Sequence, residues 1–336
     1  MSSSTDGLPR TLTVDNRKVT IFATGGTIAG RASSAIDTTH YESGVVEIAE
    51  LLDAVPALRS VADIRSQQIA NVGSQNMTGA ILIELARAVN RELAKSDIHG
   101  VVVTHGTDTL ESTALFLDLT INSPKPIIVT GSMRPSTAIS ADGPMSLLGA
   151  VSVAASDTAR NRGTLIVMGD RIGSAFYTSK TNTTTLDAFS APDAGYLGVL
   201  IDGKPRFYYS AARPSDAPHF DLSRINHLPR IDILYGHQDQ DSALIEYAVR
   251  NGAKGIVIAG VGDGYIPTEL NATVEKMMEN GIPVVLSTRT GSGFTNHKKA
   301  GIGSGFYNPQ KARILLGLAL AEDADMNTIR YNFATK

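Results

Sequence analysis

Short β-branched runs recur along the chain at residues 19–23, 100–103, 127–129, 165–167, 255–258 and 283–286. Between them the apolar positions fall three and four apart, which predicts helices over residues 78–94, 109–119, 242–249 and 268–278. Gly252 and Gly281 stop the last two, because glycine closes a helix in the left-handed conformation at little cost. Asn308 and Pro309 predict the cap and first residue of a final helix running to about Leu320. Strands that alternate with helices in this way are joined by helical crossovers, so the pattern predicts an α/β fold with a largely parallel sheet. The pattern lapses at residues 206–230, where prolines, charges, Tyr208 and Tyr209 replace it, and resumes at Ile231. The expected organisation is a flexible tail (1–18), an N-terminal α/β domain (19–205), a linker (206–230) and a C-terminal α/β domain (231–336).

Composition narrows what such a fold does. A chain of 336 residues, 42% hydrophobic, can bury the cores of two domains. The net charge is −3 with both signs interspersed, so there is no basic footprint for nucleic acid and no polybasic membrane patch. A small-molecule substrate is expected. The absence of cysteine removes thiol mechanisms and disulfides. The histidines are scattered without an H-E-x-x-H pair, so neither a metal nor another cofactor is expected. No run is long enough to span a membrane, and the polar start does not look like a signal peptide. This predicts a cytoplasmic protein, with a processed periplasmic form as the alternative.

Candidate chemistry sits where strands end. VTIFATGGTIAG (19–30), GVVVTHGTDT (100–109) and PIIVTGSMRPS (126–136) each close an apolar run with glycine and small hydroxyl residues. In a parallel sheet, ligands bind beyond the carboxyl ends of the strands, so these segments should converge and set Thr27 and Thr107 in one pocket. The plainer reading is that Gly25 and Gly26 only make a tight turn. TGGTIAG lacks dinucleotide-binding spacing, and no Walker lysine follows a glycine loop.

A threonine hydroxyl needs a base before it can attack. Lys180, in TSKTNTT (178–184), is the strongest candidate; the alternative is a solvated surface lysine. Asp108 has two readings, a cap for the following helix or a partner for a substrate ammonium, and the backbone N–H groups there suit an oxyanion. The polar stretch between Gly30 and Gly44 reads either as a plain loop or as a lid carrying Tyr41 to Thr27. His105 reads as a packed residue beside the site. In GVGDGY (260–265), Asp263 and Tyr265 suit a site contact shared with a neighbouring subunit, against a plain turn-capping role for Asp263.

These residues carry a resemblance. ATGGTIAG (23–30), THGTDT (104–109), MRPSTAISADGP (133–144), SKTNTT (179–184) and NPQKARILL (308–316) are similar to the bacterial type II L-asparaginases, including the glutaminase-asparaginases. The likeness spans about Val19 to Phe333, and two of these motifs are highly specific. It implies an amidohydrolase that converts L-asparagine through an acyl-enzyme on Thr27, and it leaves the choice between asparagine and glutamine open. Tyr41 is then its lid partner, and Thr107, Asp108 and Lys180 a second activating set. Gly26, Gly73, Ser74 and Gln75 would hold the substrate's carboxylate and amino group, with Ser132 near the amide. The family also implies a larger N-terminal domain, mainly parallel sheet flanked by helices, and a smaller C-terminal Rossmann-like α/β domain. It further implies a homotetramer of intimate dimers with no cofactor.

The sequence departs from that pattern in two places: at Tyr265, where relatives often hold a small polar residue that contributes to substrate preference, and in the segment before the final helix. Residues 288–307 are short and hold no Asp or Glu, where many relatives supply an acid from the neighbouring subunit. Two rivals stand beside the enzyme reading. One is the asparaginase-like subunit of a tRNA-dependent amidotransferase, which carries a long N-terminal extension where about eighteen residues precede the first strand here. The other is a non-catalytic amino-acid-binding protein, against which the joint presence of Thr27, Thr107 and Lys180 argues.

Overall fold

The computed structural model describes residues 17–213 and 217–334. The expected tail lies outside the described residues except for Arg17 and Lys18.

The first half of the chain builds an eight-stranded sheet. Its strands and covering helices are, in order, β1 (Lys18–Gly25), α1 (Ile48–Asp53), β2 (Asp63–Val72), α2 (Gly79–Leu93), β3 (Ile98–Thr104), α3 (Leu110–Thr120), β4 (Ile127–Thr130), α4 (Gly143–Ala154), β5 (Thr164–Met168) and β6 (Arg171–Ser174). A separate hairpin of β7 (Ser179–Lys180) and β8 (Phe189–Ser190) follows, then β9 (Gly198–Ile201) and β10 (Lys204–Phe207). The second half contains β11 (Ile231–Tyr235), α5 (Ala243–Arg250), β12 (Gly255–Gly260), α6 (Leu270–Glu279), β13 (Val284–Thr288), β14 (Ile302–Gly303), α7 (Pro309–Ala321) and α8 (Met326–Phe333).

The large sheet runs β10-β9-β6-β5-β4-β3-β1-β2. The five strands from β2 to β5 pair in parallel, and β6, β9 and β10 add an antiparallel edge. The C-terminal sheet, β11-β12-β13-β14, is wholly parallel. Central strands such as β3 and β4 are buried on both faces, which is why they read as unbroken apolar runs rather than alternating ones. On one face α1 and α4 cover Val19, Ile21, Val102, Ile128 and Leu165. The other face packs on α2 and α3, and its core continues into the second domain through Val257, Val285 and the α7 residues Leu315, Leu316 and Leu318. Helix α7 therefore touches both α3 and the C-terminal strands β11 and β12, and this contact decides where the second domain sits against the site.

The helix ends follow their local chemistry. Asn308 caps α7 by accepting a hydrogen bond from Lys311 N, with Pro309 at the first helical position. Gly252 and Gly281 follow α5 and α6 at φ 92° and 76°. β6 and β10 of the antiparallel edge, and β2, carry no apolar run. β10 extends to Phe207, into the stretch expected to be linker, and residues 208–230 hold no helix or strand among those described. No helix among the described residues is long and apolar enough to cross a membrane.

Candidate active site

The carboxyl ends of β1 and β3 meet backbone to backbone. Gly25 and Gly26 have φ of 99° and 82°, the left-handed region that glycine tolerates and other residues do not. A Cβ on Gly26 would lie 2.2 Å from the Gly106 N and Cα, and one on Gly106 would lie 2.8 Å from Ser74 Oγ. The glycines therefore do more than turn the chain. Their bareness lets the loops carrying Thr27, Thr107 and Ser74 close on one another, as expected of strand ends in a parallel sheet.

Thr27 opens a buried 3-10 turn (Thr27–Ala29) directly after this contact. Its Oγ1 lies 2.7 Å from the Tyr41 hydroxyl. Tyr41 reaches it from the 31–44 loop, whose ends are tied by reciprocal backbone bonds between Arg31 and Glu42 at 3.0 and 2.9 Å. The loop also leans on the segment after β4. Ser136 donates to Gly30 O from its N at 3.0 Å and its Oγ at 2.8 Å, and Ile139 N donates to Ala35 O at 2.8 Å.

The second hydroxyl couple is separate. Lys180 Nζ donates to Thr107 Oγ1 at 3.0 Å and to Asp108 Oδ1 at 2.6 Å. Asp108 is not the cap of α3. Thr109 occupies that position without a side-chain cap bond, and its hydroxyl donates to Ser74 O at 2.8 Å. The Asp108 carboxylate is 65% exposed while the Lys180 side chain is 15% exposed. A pair this open adds little stability; its effect is to aim the ammonium at Thr107 and to leave carboxylate surface facing solvent. Asp108 N donates to Ser74 Oγ at 3.2 Å, so Ser74 is buried as the hinge between the two loops.

Behind them, His105 is fully buried, and that burial drives its pKa down to about 4 against the opposing effect of its bond to Gly106. Nδ1 lies 2.7 Å from Gly106 O, which can only accept, so Nδ1 carries the proton and Nε2 accepts from the Thr113 hydroxyl at 2.8 Å. The imidazole is thus a neutral strut under the Thr107 loop. Ser132 is buried as well, and its hydroxyl donates to Arg134 O at 2.7 Å. The Asp142 carboxylate accepts from Met133 N and Arg134 N at 2.8 and 2.9 Å, fixing that loop.

Two expected contacts stand apart. Gln75 is exposed beside Gly73. Asp263 does not simply cap its own turn: it accepts from Asn296 N at 2.8 Å and pairs with Lys298, whose Nζ lies 4.4 Å from the Tyr265 ring centroid. Burial works to raise this carboxyl, but its bonds to Lys298 and Asn296 prevail and hold it below the usual range. Asn296, Lys298 and Tyr265 all lie in the C-terminal domain. Sequence reasoning missed Glu111, whose buried carboxylate accepts from Lys180 N at 2.9 Å and from Gln310. Its only signal was a position one helical turn beyond Asp108. Among the described residues, no three or more His, Asp or Glu side chains cluster as metal ligands would.

Comparison with known proteins agrees in both halves. Residues 18–213 match the family model for the asparaginase N-terminal domain, and residues 230–333 match that for the glutaminase/asparaginase C-terminal domain. Probable L-asparaginase 1 of Schizosaccharomyces pombe is 52% identical over 303 residues, covering 90% of this chain and 84% of that protein. L-asparaginase 2 of Bacillus subtilis is 45% identical over 327 residues, covering 95% and 86%. The crystal structure of a probable cytoplasmic L-asparaginase from Campylobacter jejuni superposes with a TM-score of 0.91 at 42% identity, covering 96% of this chain and all of that one.

Proposed function

The chain belongs to the asparaginase family, and from that premise we propose that it hydrolyses the side-chain amide of L-asparagine to L-aspartate and ammonia. The observation that carries the reading is the pair of hydroxyl couples, Tyr41 on Thr27 at 2.7 Å and Lys180 on Thr107 at 3.0 Å. Thr27 Oγ1 attacks the amide carbon as its proton passes to the Tyr41 hydroxyl, which gives its own proton to the amide nitrogen. Backbone N–H groups at the strand ends take the developing negative charge. The C–N bond breaks, ammonia leaves with the added proton, and an aspartyl ester remains on Thr27. Water then adds to the ester carbon, Thr107, oriented by the Lys180 ammonium, relays the water's proton, and Thr27 Oγ1 takes up that proton as its C–O bond breaks and L-aspartate leaves.

Substrate binding follows from charge. The exposed face of Asp108 pairs with the α-ammonium, while Ser74 and Gln75, with the backbone of Gly73 and Gly26, supply donors to the α-carboxylate. Ser132 offers its backbone near the amide, since its hydroxyl is engaged elsewhere. L-Glutamine, one methylene longer, is a second substrate. The active assembly is a homotetramer in which Asp263 and Tyr265 reach the site of a neighbouring subunit. A cytoplasmic location follows the description of the Campylobacter structure. Relatives between 41% and 52% identical are named L-asparaginases, which disfavours both a non-catalytic binder and an amidotransferase subunit.

The deciding assay measures ammonia from L-asparagine, L-glutamine and both D-forms with the purified protein. Release from L-asparagine at the highest kcat/KM is expected. Binding of L-asparagine without ammonia would overturn the reading.

A further inference from the structure

The strand that carries Lys180 has almost no sheet to hold it. β7 is two residues long and pairs only with the two residues of β8. A lysine delivers its amine to one point only when the backbone beneath its flexible stem is fixed. The anchors come from the other domain, at the start of α7. Asn308 Nδ2 donates to Ser179 Oγ at 2.9 Å, while Oδ1 of the same side chain accepts from Lys311 N at 3.0 Å. Gln310 donates to Glu111, whose second carboxylate oxygen accepts from Lys180 N at 2.9 Å. Lys311 Nζ donates to Phe176 O and Thr178 O, both at 2.8 Å. Three side chains from one helical turn thus hold the segment leading to Lys180: Lys311 by two carbonyls, Asn308 by the Ser179 hydroxyl and Gln310 through Glu111.

Lys311 shows that this grip is not ordinary packing. It is 1% exposed. Taking an ammonium out of water costs several kcal/mol, and an apolar side chain would join α7 to this segment at lower cost. An apolar side chain cannot hold two carbonyls, however, and holding carbonyls 176 and 178 is what sets the direction of the chain entering β7.

We propose that Asn308, Gln310 and Lys311 are positioning residues for Lys180, so that the docked C-terminal domain sets the place of the amine at Thr107. The proposal rests on the reading of Lys180 given under Proposed function. Misplacing a reacting group by about 1 Å can cost on the order of 10²-fold in rate, which is the scale at which a clamp acts.

The test uses the full chain with Lys311→Met and, separately, with Asn308→Ser and Gln310→Leu combined. Serine still caps the helix but is too short to reach Ser179. Two readouts are taken on protein with wild-type near-UV circular dichroism: kcat and KM for L-asparagine, and the rate at which trace acetic anhydride acetylates Lys180, followed by peptide mass. A purely structural contact would change the yield of folded protein and leave both readouts alone. The clamp predicts a kcat about 10- to 10²-fold lower with KM within about threefold, and faster acetylation of Lys180 while exposed Lys299 is unaffected. Folded variants with wild-type kcat and wild-type acetylation would overturn it. If Lys311→Met does not fold, the double variant decides by the same readouts. Lys180→Met isolates the underlying reading. If it turns over normally, that reading fails and acetylation alone judges the clamp, faster labelling supporting it and unchanged labelling overturning it.

Discussion

Tyr41 reaches Thr27 on a loop whose outer residues stand in solvent, Ile36 being 81% exposed, whereas Lys180 reaches Thr107 from among buried Ser74, Glu111 and His105. The first couple is held by backbone bonds at the loop's ends and by its lean on residues 136–139; the second is held by side chains drawn from α3, the Ser74 turn and α7. A segment with few buried apolar contacts opens at low free energy, and a network of buried polar groups does not. The contrast separates two tasks. On the proposed mechanism Thr27 must be uncovered for substrate to enter, and its partner sits on the less firmly tied segment. Lys180 and Thr107 must keep their geometry while the partner moves, so they sit on the part that cannot.

The strongest way to break the contrast is to remove the fixed amine. Lys180→Met should lower kcat/KM by about 10³-fold or more with the melting temperature nearly unchanged, because members of such a set act as a unit. An ammonia assay showing less than tenfold loss would remove Lys180 from the chemistry. Next, Asp108→Ala should cost roughly 10²- to 10³-fold in kcat/KM by leaving the substrate ammonium unpaired. Wild type should likewise disfavour succinamic acid, which lacks that group, and equal hydrolysis of the two would refute the pairing. On the movable side, Tyr41→Phe should lower kcat about 10²-fold, since general acid–base groups contribute on that scale. The exposed-tip change Ile36→Ser should stay within about twofold, and a comparable loss from both would mean that the loop acts as a whole rather than through its hydroxyl.

A last effect, on stability rather than rate, concerns the strut beneath the fixed half. The folded pKa of His105 is lowered from 6.5 to about 4, so the unfolded chain binds the extra proton between those values. Stability from this group is therefore fully present above about pH 6.5 and is lost as pH falls toward 4, amounting to about 2 kcal/mol at pH 5. His105→Gln should be less sensitive to a fall from pH 7 to pH 5 than wild type by about that amount in urea unfolding at one protein concentration. Equal sensitivity would show that His105 takes up its proton while folded.

Much of the movable half is legible along the chain, because an apolar run ending in TGGT and a polar stretch between Gly30 and Gly44 are local features. The fixed half is less so. Asp108 stands just before a helix, where capping and ion pairing look alike, and only the approach of β7 tells them apart. Glu111 and Gln310 are 199 residues apart, so their bond is a product of domain docking. The NPQK segment is visible as a motif and a helix start, but its grip on residues 176–180 is tertiary. Strand β2 escapes notice for another reason: at the sheet edge it is largely exposed, so Arg65, Gln67 and Gln68 replace the apolar side chains that mark a buried strand. Helix α4 begins with Gly143 and Pro144 and has eight of its twelve residues buried, so no polar face gives it a helical period.

The central claim is that the amide is cleaved through an ester on Thr27. Wild-type protein turning over L-asparagine should be quenched in acid within the first turnovers, digested, and its peptides weighed. The account predicts one added aspartyl group on the peptide containing Thr27, with neither adduct nor ammonia from Thr27→Ala. An adduct on Thr107 instead, or ammonia released by Thr27→Ala at the wild-type rate, would contradict it.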